Sequence, residues 1–297
     1  MNRRNIFITG GSGYIGNLLI AELLKISDFN LYILCRDISK IKNEWLKNEK
    51  INIIQAALEN FELPPNIEFY AVAHLAAYTK NTPKDVLFKT NIDGTKRLVE
   101  VFKARNLKKF IHLSSVLVFA GHLKKNNLPI LNSFEYSAQD DYGLSKIKAE
   151  KIIKNADNLP YIIIRSGYVY DENRYIPIIK ERLKKLNFKI VITKKNNYWH
   201  TTHSSKLISL IVQLLQDDKI SAPKILFAVD DQPILIKKFY NEICAELNVK
   251  RPLYLSPAVF DILLKFNNIF NKIFKTKIDI KQNVIAQHPY SEIYSND

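Results

Sequence analysis

Tyr142 and Lys146 stand four residues apart in Asp141-Tyr142-Gly143-Leu144-Ser145-Lys146, and a glycine run, Thr9-Gly10-Gly11-Ser12-Gly13-Tyr14-Ile15-Gly16, lies far upstream. At that spacing a phenol and an ammonium share one helix face. The cation is expected to hold the phenol's pKa well below its reference of ~10. A tuned phenol beside a nicotinamide suits reversible carbonyl–alcohol hydride chemistry, as general acid toward a carbonyl or general base toward an alcohol. Either motif alone is common. Both together, in this order, are not.

The elements that must position these groups follow from periodicity. Residues 5–9 form a short apolar run fit for a buried parallel strand, and Leu18, Leu19, Ala21, Leu23 and Leu24 follow the glycines at helical spacing. Strand, glycine turn and helix is the context for a dinucleotide. Gly10 permits the tight turn, Gly13 lets a pyrophosphate approach, and Gly16 allows close helix–strand packing. Tyr14 and Ile15 complete the cofactor-binding turn, and the helix N-terminus favours negative charge. Arg36 ends the second strand, where an NAD site often places an acid. A cation there, helped by Lys40, suits a ribose 2′-phosphate and favours NADP over NAD, with Asp37 left to cap the next helix.

Strand-like runs at 5–9, 30–35, 51–55, 69–74, 109–113 and 160–165 alternate with helical patterns at 14–26, 39–48, 84–106 and 141–157. The alternation predicts an α/β, Rossmann-type doubly wound parallel sheet over residues 1–165. Residues 166–297 read as a smaller, mixed α/β substrate-binding portion, with helices at 174–186, 204–216, 235–247 and 256–275 and short strands near 188–193 and 224–229.

The 297 residues suffice for a large core. Cys35 and Cys244 have no metal-type spacing, no stretch reaches membrane-spanning length, and no signal peptide precedes the first strand, so a reducing cytoplasm is the expected location. The net charge of +15 comes from scattered lysines without a recognised nucleic-acid motif. No nucleic-acid partner is expected; the field would steer a phosphate-bearing substrate.

With both motifs placed, the first 170 or so residues resemble the extended short-chain dehydrogenases/reductases, the epimerase/dehydratase family. The resemblance is carried by the glycine run and by His74-Leu75-Ala76-Ala77, which looks like the segment lying against the cofactor. Asn91 matches the family's active-site asparagine, and Ser115, not Ser114, its catalytic hydroxyl. Arg165-Ser166-Gly167-Tyr168-Val169-Tyr170 resembles the stretch leading toward substrate. The resemblance implies catalytic roles for Ser115, Tyr142, Lys146 and Asn91. It also implies cofactor contacts from Leu75, Ala76, Ala77, Tyr142 and Lys146, the last through the nicotinamide ribose hydroxyls.

Several departures narrow the activity. Ala57 stands where the family usually has Asp against adenine, and Ser166 where it has Pro near the nicotinamide. Val116-Leu117 replaces the acidic pair of the family's dehydratases, so dehydration is disfavoured. Reduction or epimerisation of a nucleotide-activated sugar is the leading expectation, with a mild tilt toward reductase. A reductase of lipophilic, steroid- or flavonoid-like alcohols or ketones is the alternative, and a non-catalytic NAD(P)-binding sensor the third. The apolar helical pattern over 259–274 is expected to pack on the core or a dimer partner rather than on a membrane. Helices at 84–106 and 141–157 are the candidates for a homodimer interface, by analogy. His74 reads as a packed core histidine, and His200 and His203 as polar contacts to substrate or solvent, not metal ligands. Tyr168, Tyr170 and Trp199 are candidate pocket or core aromatics.

Overall fold

In a computed structural model, which describes residues 3–79, 81–124, 128–220, 222–276, 279–288 and 290–296, the apolar runs form one seven-stranded sheet. Its strands are β1 (Arg4–Thr9), β2 (Phe29–Cys35), β3 (Ile51–Gln55), β4 (Ala71–His74), β5 (Lys109–Ser115), β6 (Tyr161–Ser166) and β7 (Lys224–Ala228). Every pairing is parallel, in the spatial order β3-β2-β1-β4-β5-β6-β7. The winding direction reverses between β1 and β4, which opens a crevice at their carboxyl ends.

The longer helices are α1 (Tyr14–Leu23), α2 (Gly94–Phe102), α3 (Asp141–Lys154), α4 (Tyr175–Lys185), α5 (Ser204–Gln216), α6 (Ile236–Glu246) and α7 (Pro257–Phe274). Strand alternation sends Ile6 and Ile8 to one face of the sheet and Phe7 to the other, all fully buried. The isoleucines join Leu19 of α1 and Leu207 and Ile211 of α5 in one cluster. Phe7 joins Phe102 of α2 and Ile153 of α3 in the other. Burial on both faces is why these strands read as continuous apolar runs.

The chain crosses back over residue 165. Helix α5 packs beside α1, and β7 pairs with β6 at the sheet edge, so part of the sequence after 166 builds the Rossmann sheet. The remainder forms a three-stranded parallel sheet of Leu253–Leu255, Ile190–Thr193 and Val284–His288. Ile179 and Leu183 of α4 and Ile236 and Tyr240 of α6 cluster against it.

Three expected elements differ. The helix expected over 84–106 runs instead as Lys84–Phe88, a π-helical turn Lys89–Asp93, and then α2. Such turns absorb one extra residue in a helix and often mark functional positions; here the turn presents Asn91 inward. The helix expected over 39–48 is two short turns, Ile38–Lys40 and Asn43–Leu46, and Asp37 does cap the first, its Oδ1 accepting from Ser39 N at 3.1 Å. Helix α7 was expected to pack its apolar face on the core or on a dimer partner; within this chain Phe260 is its only buried residue, so the core does not cover that face. It touches the body along one edge, and most of its apolar stripe stays in solvent.

Candidate active site

The glycine turn is fixed by what a Cβ would hit. Gly10 has φ +75°, and a Cβ there would lie 2.7 Å from Ala76 N, so the turn presses directly on Leu75-Ala76. A Cβ at Gly16 would meet Gly10 O at 2.2 Å, which ties α1 to the turn. At Gly13 only Gly10 O lies nearby, at 3.2 Å, leaving its outer side open beside the N-terminus of α1. Two supports went unread in the sequence. Gly11 packs against Ile33, and Asn17 Nδ2 donates to the carbonyls of Gly11 (3.0 Å) and Gly13 (2.9 Å). An amide in the first helical turn after a glycine run was the available signal. Ile15 packs against the α1 side of the core.

Arg36 stands exposed at the end of β2 and donates to the Tyr78 hydroxyl at 2.7 Å, its guanidinium 5.2 Å above that ring. Arg174, which precedes α4, stacks on Tyr14 at 4.3 Å. That second cation at the glycine turn comes from a distant part of the sequence, and no local pattern marks it.

A directional hydrogen-bond chain links this turn to the helix bearing Tyr142. Ala76 N donates to Thr9 Oγ1 (3.2 Å), which meets His74 Nδ1 at 2.8 Å, while His74 Nε2 meets Thr95 Oγ1 at 2.9 Å. Thr95 Oγ1 in turn donates to Asn91 O at 2.7 Å. Because Thr95 spends its proton there, His74 carries its proton on Nε2 and accepts at Nδ1. Burial holds His74 neutral, its pKa pulled down to about 3, with Lys146 adding to the shift. Asn91 clasps both backbone groups of Tyr78, accepting from its N at 2.8 Å and donating to its O at 3.0 Å. It also donates to Ser145 Oγ (2.9 Å), which donates to Tyr142 O (2.7 Å). His74 is thus the packed histidine expected, and Asn91 organises backbone and α3.

Tyr142 lies in the first turn of α3, where Asp140 Oδ1 accepts from Gly143 N at 2.7 Å as the cap. A Cβ at Gly143 would sit 2.7 Å from Leu117 O, so the helix start packs tightly against Val116–Phe119. Ser115 closes β5, accepts from Leu117 N at 3.2 Å and stands close enough to Tyr142 to favour its ionised form. Ser114 instead points the other way, to Glu150.

One expectation is overturned. Burial pushes the Tyr142 phenol up to about 12, with Asp140 adding to the rise and the nearby Ser115 opposing it. Lys146 does not depress it, because its Nζ turns into the sheet and donates to Leu113 O at 2.8 Å. Burial lowers Lys146 itself to about 8, partly opposed by Glu150. Tyr142 is accordingly a protonated donor at neutral pH.

Glu150, one turn beyond Lys146, anchors this face and was not singled out from the sequence, although its i+8 spacing from Tyr142 offered a signal. It pairs with Arg165 at 2.7 Å, both side chains almost fully buried, and accepts from Ser114 and from Tyr136 Oη at 2.7 Å. Arg165 also donates to Asn132 O at 3.1 Å and lies 4.6 Å over Phe119. Next to this network, His112 is buried with both ring nitrogens unpartnered among the described residues, 4.9 Å from the His74 ring.

The lowered Lys146 pKa has a consequence for stability. Below pH 8 the amine is charged in both folded and unfolded chains, and the fold bears the full cost of burying it. From about 8 to the unfolded value of 10.5 the folded chain has shed a proton that the unfolded chain keeps, so this residue's contribution to stability rises with pH. In urea unfolding, the stability of Lys146→Met minus that of the parent should fall by on the order of 2–4 kcal/mol across that window. A difference independent of pH would show that Lys146 is not buried as a cation.

Beyond β6, Tyr168–Tyr170 pairs in parallel with Thr201–His203. Gly167 N donates to Thr202 Oγ1 at 2.8 Å, and a Cβ at Gly167 would lie 2.5 Å from His200 O. His200 is used up structurally, its Nδ1 accepting from Tyr294 N at 3.0 Å and its Nε2 donating to Asp230 O at 2.7 Å. His203 faces Ser205 and Glu172 near the surface. Trp199 is buried between Tyr168, Tyr175 and His288, whereas Tyr168 keeps one side exposed.

The chain thus has a Rossmann-type parallel sheet with a glycine turn at its reversal point, Ser115 at the end of β5, and Tyr142 and Lys146 on α3. A model of the NAD dependent epimerase/dehydratase family matches residues 6–226, and the chain belongs to that family. It is 30% identical over 232 residues to a dTDP-D-glucose 4,6-dehydratase of Dictyostelium discoideum, covering 73% of this chain and 49% of that protein. It is 24% identical over 282 residues to a UDP-glucose 4-epimerase of Vibrio cholerae, covering 91% and 83% respectively. The chain thus spans about half the length of the dehydratase. Among solved structures, the UDP-glucuronic acid 4-epimerase of Bacillus cereus in complex with NAD superposes with a TM-score of 0.71 at 21% identity, covering 85% of this chain and 87% of that one.

Proposed function

We propose that the chain is an NAD(P)-dependent reductase or epimerase acting at a keto or hydroxyl carbon of a nucleotide-activated sugar. The observation that carries this reading is the placement of Ser115 at the carboxyl end of β5 beside Tyr142 in the first turn of α3, a turn tied by one polar chain to the glycine turn. The open side of Gly13 and the N-terminus of α1 fit a dinucleotide's diphosphate, with Arg174 beside Tyr14 as an added cation. Leu75, Ala76 and Ala77 would flank the cofactor, Lys146 would reach its ribose hydroxyls, and Arg36 would hold a 2′-phosphate. When bound, the nicotinamide supplies or accepts a hydride.

The residues' own part follows from their protonation. Tyr142, still protonated at neutral pH, donates to a carbonyl oxygen, and Ser115 orients that oxygen. This supports the reductive direction. Val116, buried in the turn after Ser115, and Leu117 move no proton, which argues against dehydration. Elements after residue 166, other than α5 and β7, would form the substrate side.

Incubation with NADPH or NADH and a panel of 4-keto nucleotide sugars should give turnover. Fluorescence titration should show tighter binding of NADPH, and Arg36→Ala should weaken NADPH by about 10–100-fold while sparing NADH. Equal binding of both cofactors by the parent would remove the NADP preference. Dinucleotide binding without turnover of any carbonyl would favour a sensor.

A second reading is a reductase of lipophilic ketones. The exposed apolar stripe of α7 favours it, with a groove of about 520 Å³ lined by Phe188, Leu253, Phe266 and Phe270. That groove contains none of the residues of the Tyr142 site. Turnover of steroid-like ketones in place of nucleotide sugars would select this reading.

A further inference from the structure

Among the described residues no helix is long and apolar enough to cross a membrane, yet α7 exposes more large apolar side chains than any other element of the chain. Val259, Ile262, Leu263, Phe266, Ile269, Phe270, Ile273 and Phe274 recur at spacings of one and three residues, a single stripe along all 18 residues. Phe266 and Ile273 at the stripe's centre are each 66% exposed. The helix's contact with the body lies to one side of the stripe, through Phe260 and Leu264. Phe188 and Leu253, on the neighbouring sheet, are also exposed and extend the apolar surface beyond the helix.

The charges around this surface are net positive. At 100° per residue, Lys265 and Lys272 fall at the stripe's free edge, where a lysine stem lies along apolar surface and its ammonium reaches outward. Lys275 caps the helix, and exposed Lys184 and Lys185 end α4 just before Phe188. Within the helix the only acid is Asp261, one turn before Lys265 on that same edge, which leaves the edge net positive. The whole chain carries 44 Lys and Arg against 29 Asp and Glu. A second copy of the chain would bring the same cations against one another, whereas an anionic bilayer complements them.

We propose that α7, with Phe188 and Leu253, is a monotopic docking face that lies in the headgroup region of an anionic lipid bilayer, its apolar stripe toward the acyl chains. The helix is roughly 27 Å long and would lie flat, parallel to the surface. The lysines at its edge meet lipid phosphates, and the body with the Tyr142 crevice stays in water. The proposal is independent of the substrate: it holds for a nucleotide-sugar enzyme working at a membrane and for a reductase of lipophilic compounds.

Flotation of the full chain with vesicles tests it, using phosphatidylcholine alone or equal parts phosphatidylcholine and phosphatidylglycerol. The parent should float with the anionic vesicles at low salt and release as salt rises. Phe266→Asp combined with Ile273→Asp should lower that partitioning at least about tenfold. Lys265→Glu combined with Lys272→Glu should lower it about tenfold on anionic vesicles only. Because these side chains already face solvent, circular dichroism and dinucleotide binding should match the parent, which separates lost docking from lost fold. A parent that stays with neither vesicle overturns the proposal. So does a dimer in analytical ultracentrifugation that the Phe266→Asp, Ile273→Asp variant dissolves while no form binds vesicles, since the occupant would then be a second copy.

Discussion

Tyr142→Phe should lower kcat by about 10²–10⁴-fold, the range that a positioned general acid contributes. Dinucleotide affinity should change little, because Gly10, Gly13 and Gly16 and the Asn91–Tyr78 clasp do not use the phenol. The variant loses one hydroxyl beside Ser115, so α3 and its cap at Asp140 stay in place. Rates measured under saturating cofactor, beside a fluorescence titration of binding, separate the two effects. Full activity in the variant would remove Tyr142 from the chemistry.

That expectation was legible in the sequence in its residues but not in its electrostatics. The glycine spacing, the position of Ser115 and the i,i+4 relation of Tyr142 and Lys146 are local patterns, and local patterns survive folding. The direction in which Lys146 points is not local. It depends on where β5 ends against α3, and there the carbonyl of Leu113 takes the ammonium. The pKa logic drawn from spacing alone therefore had the wrong sign for Tyr142. The same limit explains the π turn at Asn91, whose side chain clasps the distant backbone of Tyr78, and the return of the chain to the sheet as β7, a strand whose run resembled those of the later portion. Helix α7 shows a simpler limit. Amphipathic periodicity announces an apolar face but does not say whether this chain covers it.

The second large effect concerns Glu150. Its carboxylate holds Arg165, Ser114 and Tyr136 together inside the molecule, and Arg165 is 2% exposed. Glu150→Ala would leave a guanidinium buried without its counter-charge, and breaking such pairs costs about 3–5 kcal/mol. Urea unfolding of Glu150→Ala should show a loss of that size. Adding Arg165→Met should recover most of it, because a buried pair replaced by apolar side chains is often close to neutral. A loss under about 1 kcal/mol would mean that water reaches Arg165. The variant should also pull Lys146 further below 8, since Glu150 is the group that favours its charged form. The pair thus belongs to stability and to the site at once: it fixes the face of α3 from which Tyr142 and Lys146 project.

In the proposed function two distant stretches of sequence, the glycine turn and the first turns of α3, are the two ends of one dinucleotide site. A crystal structure of the chain with NADH or NADPH measures this directly. The diphosphate should lie on the Gly13 backbone, with Lys146 Nζ within hydrogen-bond reach of the ribose hydroxyls. Tyr142 Oη and Ser115 Oγ should flank a space about 3–3.5 Å from the nicotinamide C4. A nicotinamide bound away from Tyr142, or a Tyr142 hydroxyl turned to bulk water in the complex, would contradict it.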